Sequence, residues 1–357
     1  MKVALIGDTH WGIRNDSVHF MDMSKRFLDN VFFPTIKDMG IKTIIHLGDL
    51  VDRRKYINIQ TANRLRYDFI YPILEMDLDF HIILGNHDVY YKNTNSVNAI
   101  EELYASCNIN VWHKATDVNV HGTKILFVPW ICAENRDHSL NSIANSHSSI
   151  CMGHLELQGF EMYKGSINTH GDSPKLFEKF DLTLSGHYHH RSSDGSIHYL
   201  GSHGQFTWSD YDDGRGFHVL DLESRVLEFV ENPYRMFSKI FYDDTQKTID
   251  DVLNVDFEAY KNTFVKVVVK NKLNAYWFDM FCDKLDKIGL LDMQIVEDHL
   301  NLNLEEDSDI VDEAESTLDI FKKHIGYITS HNINKIKLER TIVDLYSRAM
   351  TLDLASK

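Results

Sequence analysis

Five short apolar runs in this chain each close on residue types that bind metals: VALIGDTH from Val3 to His10, IIHLGDL from Ile44 to Leu50, FHIILGNHD from Phe80 to Asp88, SICMGH from Ser149 to His154, and LTLSGHYHH from Leu182 to His190. Four to six aliphatic residues, many β-branched and closed by Gly, read as a buried strand. Asp, Asn and His just beyond such a strand fall at the carboxyl edge of a sheet, where open α/β sheets place their ligands. Asp8, His10, Asp49, Asn86, His87, His154, His187 and His189 can therefore converge on one site. A lone His or Asp after a strand is ordinarily a hydrogen-bonded loop residue. Five such clusters in succession are not explained that way.

At 357 residues the chain is longer than a single core usually grows, so one large domain with an appendage is expected. Its 37 basic and 53 acidic residues leave a net charge of −16, which argues against a broad basic face for DNA. Asp8 interrupts the first apolar run, and no stretch approaches eighteen apolar residues, so a soluble, unexported, cytoplasmic protein with no membrane partner is expected. Cys107, Cys132, Cys151 and Cys282 are widely separated and suggest reduced thiols, with Cys151 in a core strand.

In the first half, strands alternate with helical spacing: Phe20, Met23, Phe27 and Val31 after the first run, and Ile59, Ala62, Phe69 and Ile73 after the second. From about Gly122 the pattern becomes shorter strands, at 124–128, 149–152, 182–184, 197–200, 217–222 and 226–230, which predict a second, mostly antiparallel sheet packed on the first. The stretch 231–244 reads as an exit from this core. Beyond it, 264–269 reads as a strand, 275–288 as a helix and 293–296 as a strand, giving a small α+β unit. Eight acidic residues and no Lys or Arg between His299 and Phe321 read as a solvated linker. Two short amphipathic helices follow, marked by Leu318, Phe321, Ile325 and Ile328 and then by Leu338, Ile342, Leu345 and Ala349; they suit a partner surface.

Carboxylate and amide oxygens mixed with imidazoles, without thiolates, suit Mn²⁺, Fe²⁺ or Zn²⁺. Seven candidate ligands, Asp8, His10, Asp49, Asn86, His154, His187 and His189, are too many for one such ion and suit two sharing a carboxylate. Two ions roughly 3.5–4 Å apart clamp the attacking and leaving oxygens of a phosphoryl displacement, so phosphoester hydrolysis is the expected chemistry.

The ordered set Asp-x-His, Gly-Asp-x-x-Asp, Gly-Asn-His-Asp, Gly-His and Gly-His-x-His resembles the calcineurin-like metallophosphoesterase superfamily. Within it, the segment GSHGQFTWSDYDDGRGFHVLDLE from Gly201 to Glu223 resembles the strand and loop after the last histidine motif of SbcD-type nucleases. The small α+β unit and terminal helices are similar in layout to that family's cap and ATPase-binding segment. The resemblance implies a four-layer αββα sandwich of two packed mixed sheets, an α/β (α+β) fold, with a nuclease domain at 1–235, a DNA-binding α+β cap at 236–304, an acidic linker at 305–316 and an ATPase-binding helical segment at 317–357. It implies one divalent ion on Asp8, His10, Asp49 and His189 and a second on Asp49, Asn86, His154 and His187, with Mn²⁺ expected ahead of Mg²⁺. It further implies His87 as general acid toward the leaving 3′ oxygen, with Asn86 steadying a phosphate oxygen.

The implied activity is a 3′→5′ exonuclease on duplex DNA and an endonuclease on single strands, working as a homodimer within a heterotetramer with an SMC-like ATPase. Relatives often carry His where this chain has Asp52, which is expected instead to orient a loop or pair with Arg53 or Arg54. A metallophosphatase or cyclic-nucleotide phosphodiesterase is the competing reading, and a nonenzymatic scaffold for the ATPase a third. The extra unit and terminal helices favour the nuclease over the phosphatase, and the intact ligand set argues against the scaffold. His190 fits no ligand role, and His46, His81 and His121 read as core or surface histidines. Trp130, Trp208 and Tyr211 could stack on bases, with packing the more ordinary reading.

Overall fold

The computed structural model describes residues 1–297 together with Leu338 and Thr341. The acidic linker and both terminal helices expected from the sequence thus lie, but for those two positions, outside the described residues. In chain order the strands are β1 (Lys2–Ile6), β2 (Thr43–His46), β3 (Asp79–Ile83), β4 (Asn110–Trp112), β5 (Thr116–Val120), β6 (Thr123–Val128), β7 (Ile150–His154), β8 (Glu161–Tyr163), β9 (Ser166–Ile167), β10 (Leu182–Gly186), β11 (Ser192–Ser193), β12 (Ile197–Tyr199), β13 (Gly216–Asp221), β14 (Leu227–Glu231), β15 (Phe237–Asp243), β16 (Phe264–Asn271) and β17 (Asp292–Val296).

Two six-stranded mixed sheets carry the fold, in the orders β14-β13-β1-β2-β3-β4 and β11-β12-β10-β7-β6-β5. They face one another through Leu5, Ile45 and Ile83 of the first and Phe127, Met152 and Leu184 of the second, all fully buried. The opposite face of the first sheet packs Ile44, Phe80 and Ile82 against Phe27, Phe32 and Phe69 of the covering helices. That of the second packs Val128 and Cys151 against Ile143 of the helix Arg136–Asn145 and against Phe177. Burial on both faces is why the central strands read as continuous apolar runs, each such side chain contributing about 1.5–3 kcal/mol.

The β-strand expectations at the five motif runs hold, but the second sheet differs from its forecast. Its centre, β6-β7-β10-β12, is parallel, and only the edges β5 and β11 run antiparallel. The hairpin β13-β14 leaves this sheet and returns to the first, where β13 pairs antiparallel with β1 from Lys2↔Asp221 to Leu5↔His218. Residues 231–244 are more than an exit, since they include β15, the first strand of a small all-parallel sheet β15-β16-β17 covered by the helix Ala275–Asp286. This unit meets the two-sheet body through Phe237 and Met236 packed with Phe20, Phe206 and Trp208. Among the described residues no helix is long and apolar enough to cross a membrane. All four cysteines are free, and Cys151 is buried in β7 as expected.

Candidate metal centre

The loops after β1, β2, β3 and β10 and the last residue of β7 bring all eight candidate residues to one edge of the sandwich. Asp8, His10 and His189 form one cluster, Asp49, His154 and His187 another, and His10, Asp49 and His87 a third between them, with donor atoms in each within 4.8 Å of one another. Asp49 stands at the centre: its Oδ2 lies 3.7 Å from His10 Nε2 and 3.3 Å from His154 Nε2. Asn86 Oδ1 reaches His154 Nε2 at 3.0 Å. Asp8, His10, Asp49 and His154 are all nearly or fully inaccessible to solvent.

The backbone is bent to make this approach. Asp8, His10, Asp49 and His187 all have left-handed φ, of 49°, 42°, 55° and 86°, a conformation that costs a non-Gly residue of order 1 kcal/mol or more and gathers at functional sites. Two glycines are fixed by contact. A Cβ on Gly48 would strike the His154 ring, and one on Gly85 the Asp49 carboxylate.

Asp88 holds the loops after β2 and β3 together. Its carboxylate accepts from the backbone N–H groups of Asp49 at 2.9 Å, Leu50 at 2.8 Å, Val51 at 3.2 Å and Gly85 at 2.8 Å. It belongs to the Gly-Asn-His-Asp motif, yet no sequence rule assigned it a task; its position directly after two site residues was the available signal.

His154 Nδ1 donates to the Leu47 carbonyl at 2.8 Å, so the ring, once it has lost its second proton to a metal, would present a lone pair at Nε2. That lone pair would meet the Asp49 and Asn86 oxygens, three acceptors turned toward one another. His187 N–H donates to both carboxylate oxygens of Asp8, at 2.9 and 3.2 Å. His10 and His189 face each other through their Nε2 atoms at 3.0 Å. Burial of converging acceptors is costly unless a cation sits among them, so the donor set fits hard divalent ions.

The titration behaviour of the side chains alone reflects the same crowding. Burial pushes the Asp8 carboxyl up to about 7, with His154 opposing and Asp49 adding to the shift. Burial would also raise Asp49, but His154, His87 and His10 hold it well below the usual range. For His10, burial is outweighed by Asp52, Asp49 and Asp8, which raise it to about 9. His154 is likewise raised to about 9 against burial, by Asp49 and then Asp8. Burial and the neighbouring His154 drive His187 down to about 3.

Arg53 is engaged away from Asp52. It binds Asp16 and Asn15, and Arg54 donates to the Val89 carbonyl. The Asp52 carboxylate instead faces His10 Nδ1 at 3.4 Å, while its backbone carbonyl accepts from His87 Nδ1 at 2.5 Å. One residue thus orients two site imidazoles, as carboxylates and carbonyls do beside metal-binding histidines.

A second group missed by sequence reasoning lies behind His189. Arg215, only 2% exposed, binds the His189 backbone carbonyl and the Ser202 hydroxyl, and pairs with Asp210 at 2.6 Å and Asp213 at 2.9 Å. Asp210 accepts from the Phe206 and Thr207 N–H groups, and the Phe206 ring packs edge-on against both His10 and His189. Gln205 donates to the Asp210 carbonyl and accepts from the N–H groups of Met236 and Phe237, where the small parallel unit begins. No spacing motif announces this group, because its links to the site run through backbone atoms and ring packing.

His190 is held between the carboxylates of Asp213 at 2.7 Å and Glu161 at 3.2 Å. His46 and His81 are buried, and His121 sits in a turn bonded to Thr43, so all three are structural as expected. Trp208 packs on Phe237 and Tyr211 lies under Lys239, so both serve packing. Trp130 is half-buried, with its ring 5.2 Å from that of His187.

An edge of five strand ends converging oxygen and imidazole donors on one shared carboxylate defines a metal-dependent phosphoesterase. The sequence profile of the calcineurin-like phosphoesterase family matches residues 1–191, and the chain belongs to that family. Within it, the chain is 33% identical over 270 residues to exonuclease subunit 1 of Enterobacteria phage T4, covering 75% of this chain and 77% of that one. It is 22% identical over 313 residues to the SbcD component of nuclease SbcCD from Staphylococcus epidermidis, covering 78% and 79%, and 24% identical over 262 residues to that from Staphylococcus saprophyticus, covering 64% and 67%. The SbcD-type resemblance of the motifs agrees with these relatives.

Proposed function

We propose that the protein is a two-metal, Mn²⁺-dependent DNA nuclease, a 3′→5′ exonuclease on duplex DNA and an endonuclease on single strands. The observation that carries this is the gathering of Asp8, His10, Asn86, His154, His187 and His189 around Asp49, with His87 beside them. The relatives named as exonuclease and nuclease components favour DNA over other phosphodiesters. Asp8, His10, Asp49 and His189 would hold one ion and Asp49, Asn86, His154 and His187 the other. When bound, such ions polarise phosphoryl oxygens as Lewis acids.

The chain's own groups do the rest. His87, its Nδ1 engaged by the Asp52 carbonyl, holds the proton for the leaving 3′ oxygen on its other nitrogen. The Asn86 amide steadies a phosphate oxygen. Left-handed backbone at Asp8, His10, Asp49 and His187 keeps the donors preorganised, so little is rearranged during reaction.

Residues 1–235 form the nuclease domain in this reading, 236–304 a DNA-binding cap, 305–316 a linker and 317–357 the helices that dock on an SMC-like ATPase, with the chain a homodimer in a heterotetramer. Metals and partner would offset the net charge of −16, which weakens nonspecific DNA affinity. The test is Mn²⁺-dependent cleavage of hairpin, blunt and single-stranded DNA with and without the ATPase, on the full chain and on a chain cut after Asp307. The shortened chain keeps weak activity on single strands and loses ATPase binding and ATP-dependent cleavage of duplex. Unchanged co-purification with the ATPase would overturn the docking assignment, and absence of Mn²⁺-dependent cleavage by the full complex would overturn the nuclease reading.

A further inference from the structure

A cavity of about 250 Å³ opens beside His154. Leu155, Leu157 and Phe177, each about 1% exposed, close its base from beneath, and the Trp130 indole lines it next to His154. Arg136, Glu156 and Asp172 supply its charged groups. The Trp130 ring centroid is 6.2 Å from that of His154 and 5.2 Å from that of His187, so the cavity shares its aromatic wall with the candidate metal centre. The wall is fixed in place. The Trp130 backbone N–H donates to the Leu84 carbonyl at 2.8 Å, and the Trp130 carbonyl accepts from the side-chain amides of Asn95 and Asn135 at 2.9 Å each.

Chemistry narrows the occupant. Arg136 is committed to Asp172 through both guanidinium nitrogens, so the cavity is poorly suited to a phosphate. The Trp130 indole offers a stacking face to a flat ring, and the polar groups that make up most of the lining suit the edge of a heteroaromatic one. The volume lies just below the roughly 300–1,000 Å³ of sites for drug-sized ligands, which leaves room for one base and not for two.

We propose that this cavity is a nucleobase subsite, taking the base of the terminal nucleotide while its phosphate lies at the metal centre. The assignment rests on the nuclease reading above and deepens it. An exonuclease with one such slot holds its substrate one nucleotide at a time, and Trp130 supplies a stacking face that accepts any of the four bases.

The test is calorimetric titration of the full-length, Mn²⁺-loaded protein with deoxyadenosine 5′-monophosphate and, separately, with 2-deoxyribose 5-phosphate, which keeps the sugar and phosphate and lacks the base. The nucleotide binds more tightly than the sugar phosphate by roughly 5- to 150-fold, the span that base–aromatic stacking gives on alanine substitution. Trp130→Ala, checked for an unchanged melting temperature, removes that difference without weakening the sugar phosphate. Trp130→Phe restores most of it. Equal affinities in the wild-type protein, or a preference that survives in Trp130→Ala, would overturn the subsite while leaving the phosphate-binding centre intact. Failure of both compounds to bind would remove the phosphate-binding reading and the subsite with it.

Discussion

The two halves of the candidate metal centre are built on different principles. Around Asp49, Asn86 and His154 the geometry is set by the strand ends that carry the site residues. One buried carboxylate, Asp88, gathers four backbone N–H groups from the loops after β2 and β3, and the Leu47 carbonyl sets the His154 ring. Around His10 and His189 it is set from behind, by a later loop. Arg215 holds the His189 carbonyl, Phe206 backs both rings, and Gln205 carries the connection to the first residues of the small parallel unit. The difference teaches that one half is fixed by the strand ends themselves, the first sheet's loops and His154 of the second, while the other depends on loop residues that come later in the chain and on the unit attached to them.

The severest way to break this comparison is to remove the residue common to both halves. Asp49→Ala should lose both ions and all measurable cleavage, whereas His10→Ala should chiefly lose one; metal analysis at saturating Mn²⁺ reads two ions in the wild type, and a single ion there would end the two-site reading. His87→Ala should sharpen it by leaving both halves loaded, with DNA binding kept and the rate down by about 10²-fold or more, the range for a positioned proton donor. Loss of an ion in that variant would make His87 a ligand.

Smaller effects should separate the halves. Arg215→Lys keeps the charge but cannot span the His189 carbonyl and two carboxylates at once, so Mn²⁺ affinity at the His10–His189 half should fall by about 10- to 100-fold, with the other half nearly unchanged. Asp88→Asn should do the converse, because an amide cannot accept four N–H bonds as a carboxylate does. Equal losses at both halves in either variant would mean that the centre is one indivisible unit.

The mildest effect concerns pH. His10 and His154 hold protons up to about 9, under the pull of the carboxylates that outweigh burial, and metal binding requires the neutral rings. Mn²⁺ affinity should therefore tighten as pH rises from about 7 toward 9, with proton release detectable by calorimetry in buffers of different ionisation enthalpy. A flat profile would show that these two rings do not bind metal.

Much of this was legible in the chain because parallel strands buried on both faces need uninterrupted aliphatic runs, and site residues follow them at once. β1, β2, β3, β7 and β10 were all visible in this way, and so was the convergence of Asp8 through His189. What escaped depended on contacts between distant segments. The hairpin of β13 and β14 has the same local pattern whichever sheet it joins; only the open edge of β1 decides that it returns to the first. β15 hid in a stretch that opens with Pro233 and mixes charged with aromatic residues, and its pairing with β16 is invisible to periodicity. Asp88, Asp52 and Arg215 escaped because they act on backbone groups or on a neighbouring ring, and no spacing encodes such a target.

The pairing of Lys2 through Leu5 with residues 218–221 also bears on the order of events during synthesis. β1 leaves the ribosome well before β13, and one of its two edges has no partner until β13 follows more than two hundred residues later. Until then that edge presents a row of unpaired backbone groups, the usual template for pairing with a stranger. Such late, long-range closure is slow relative to local structure, so nascent chains that stop short of Asp221 should be prone to aggregate.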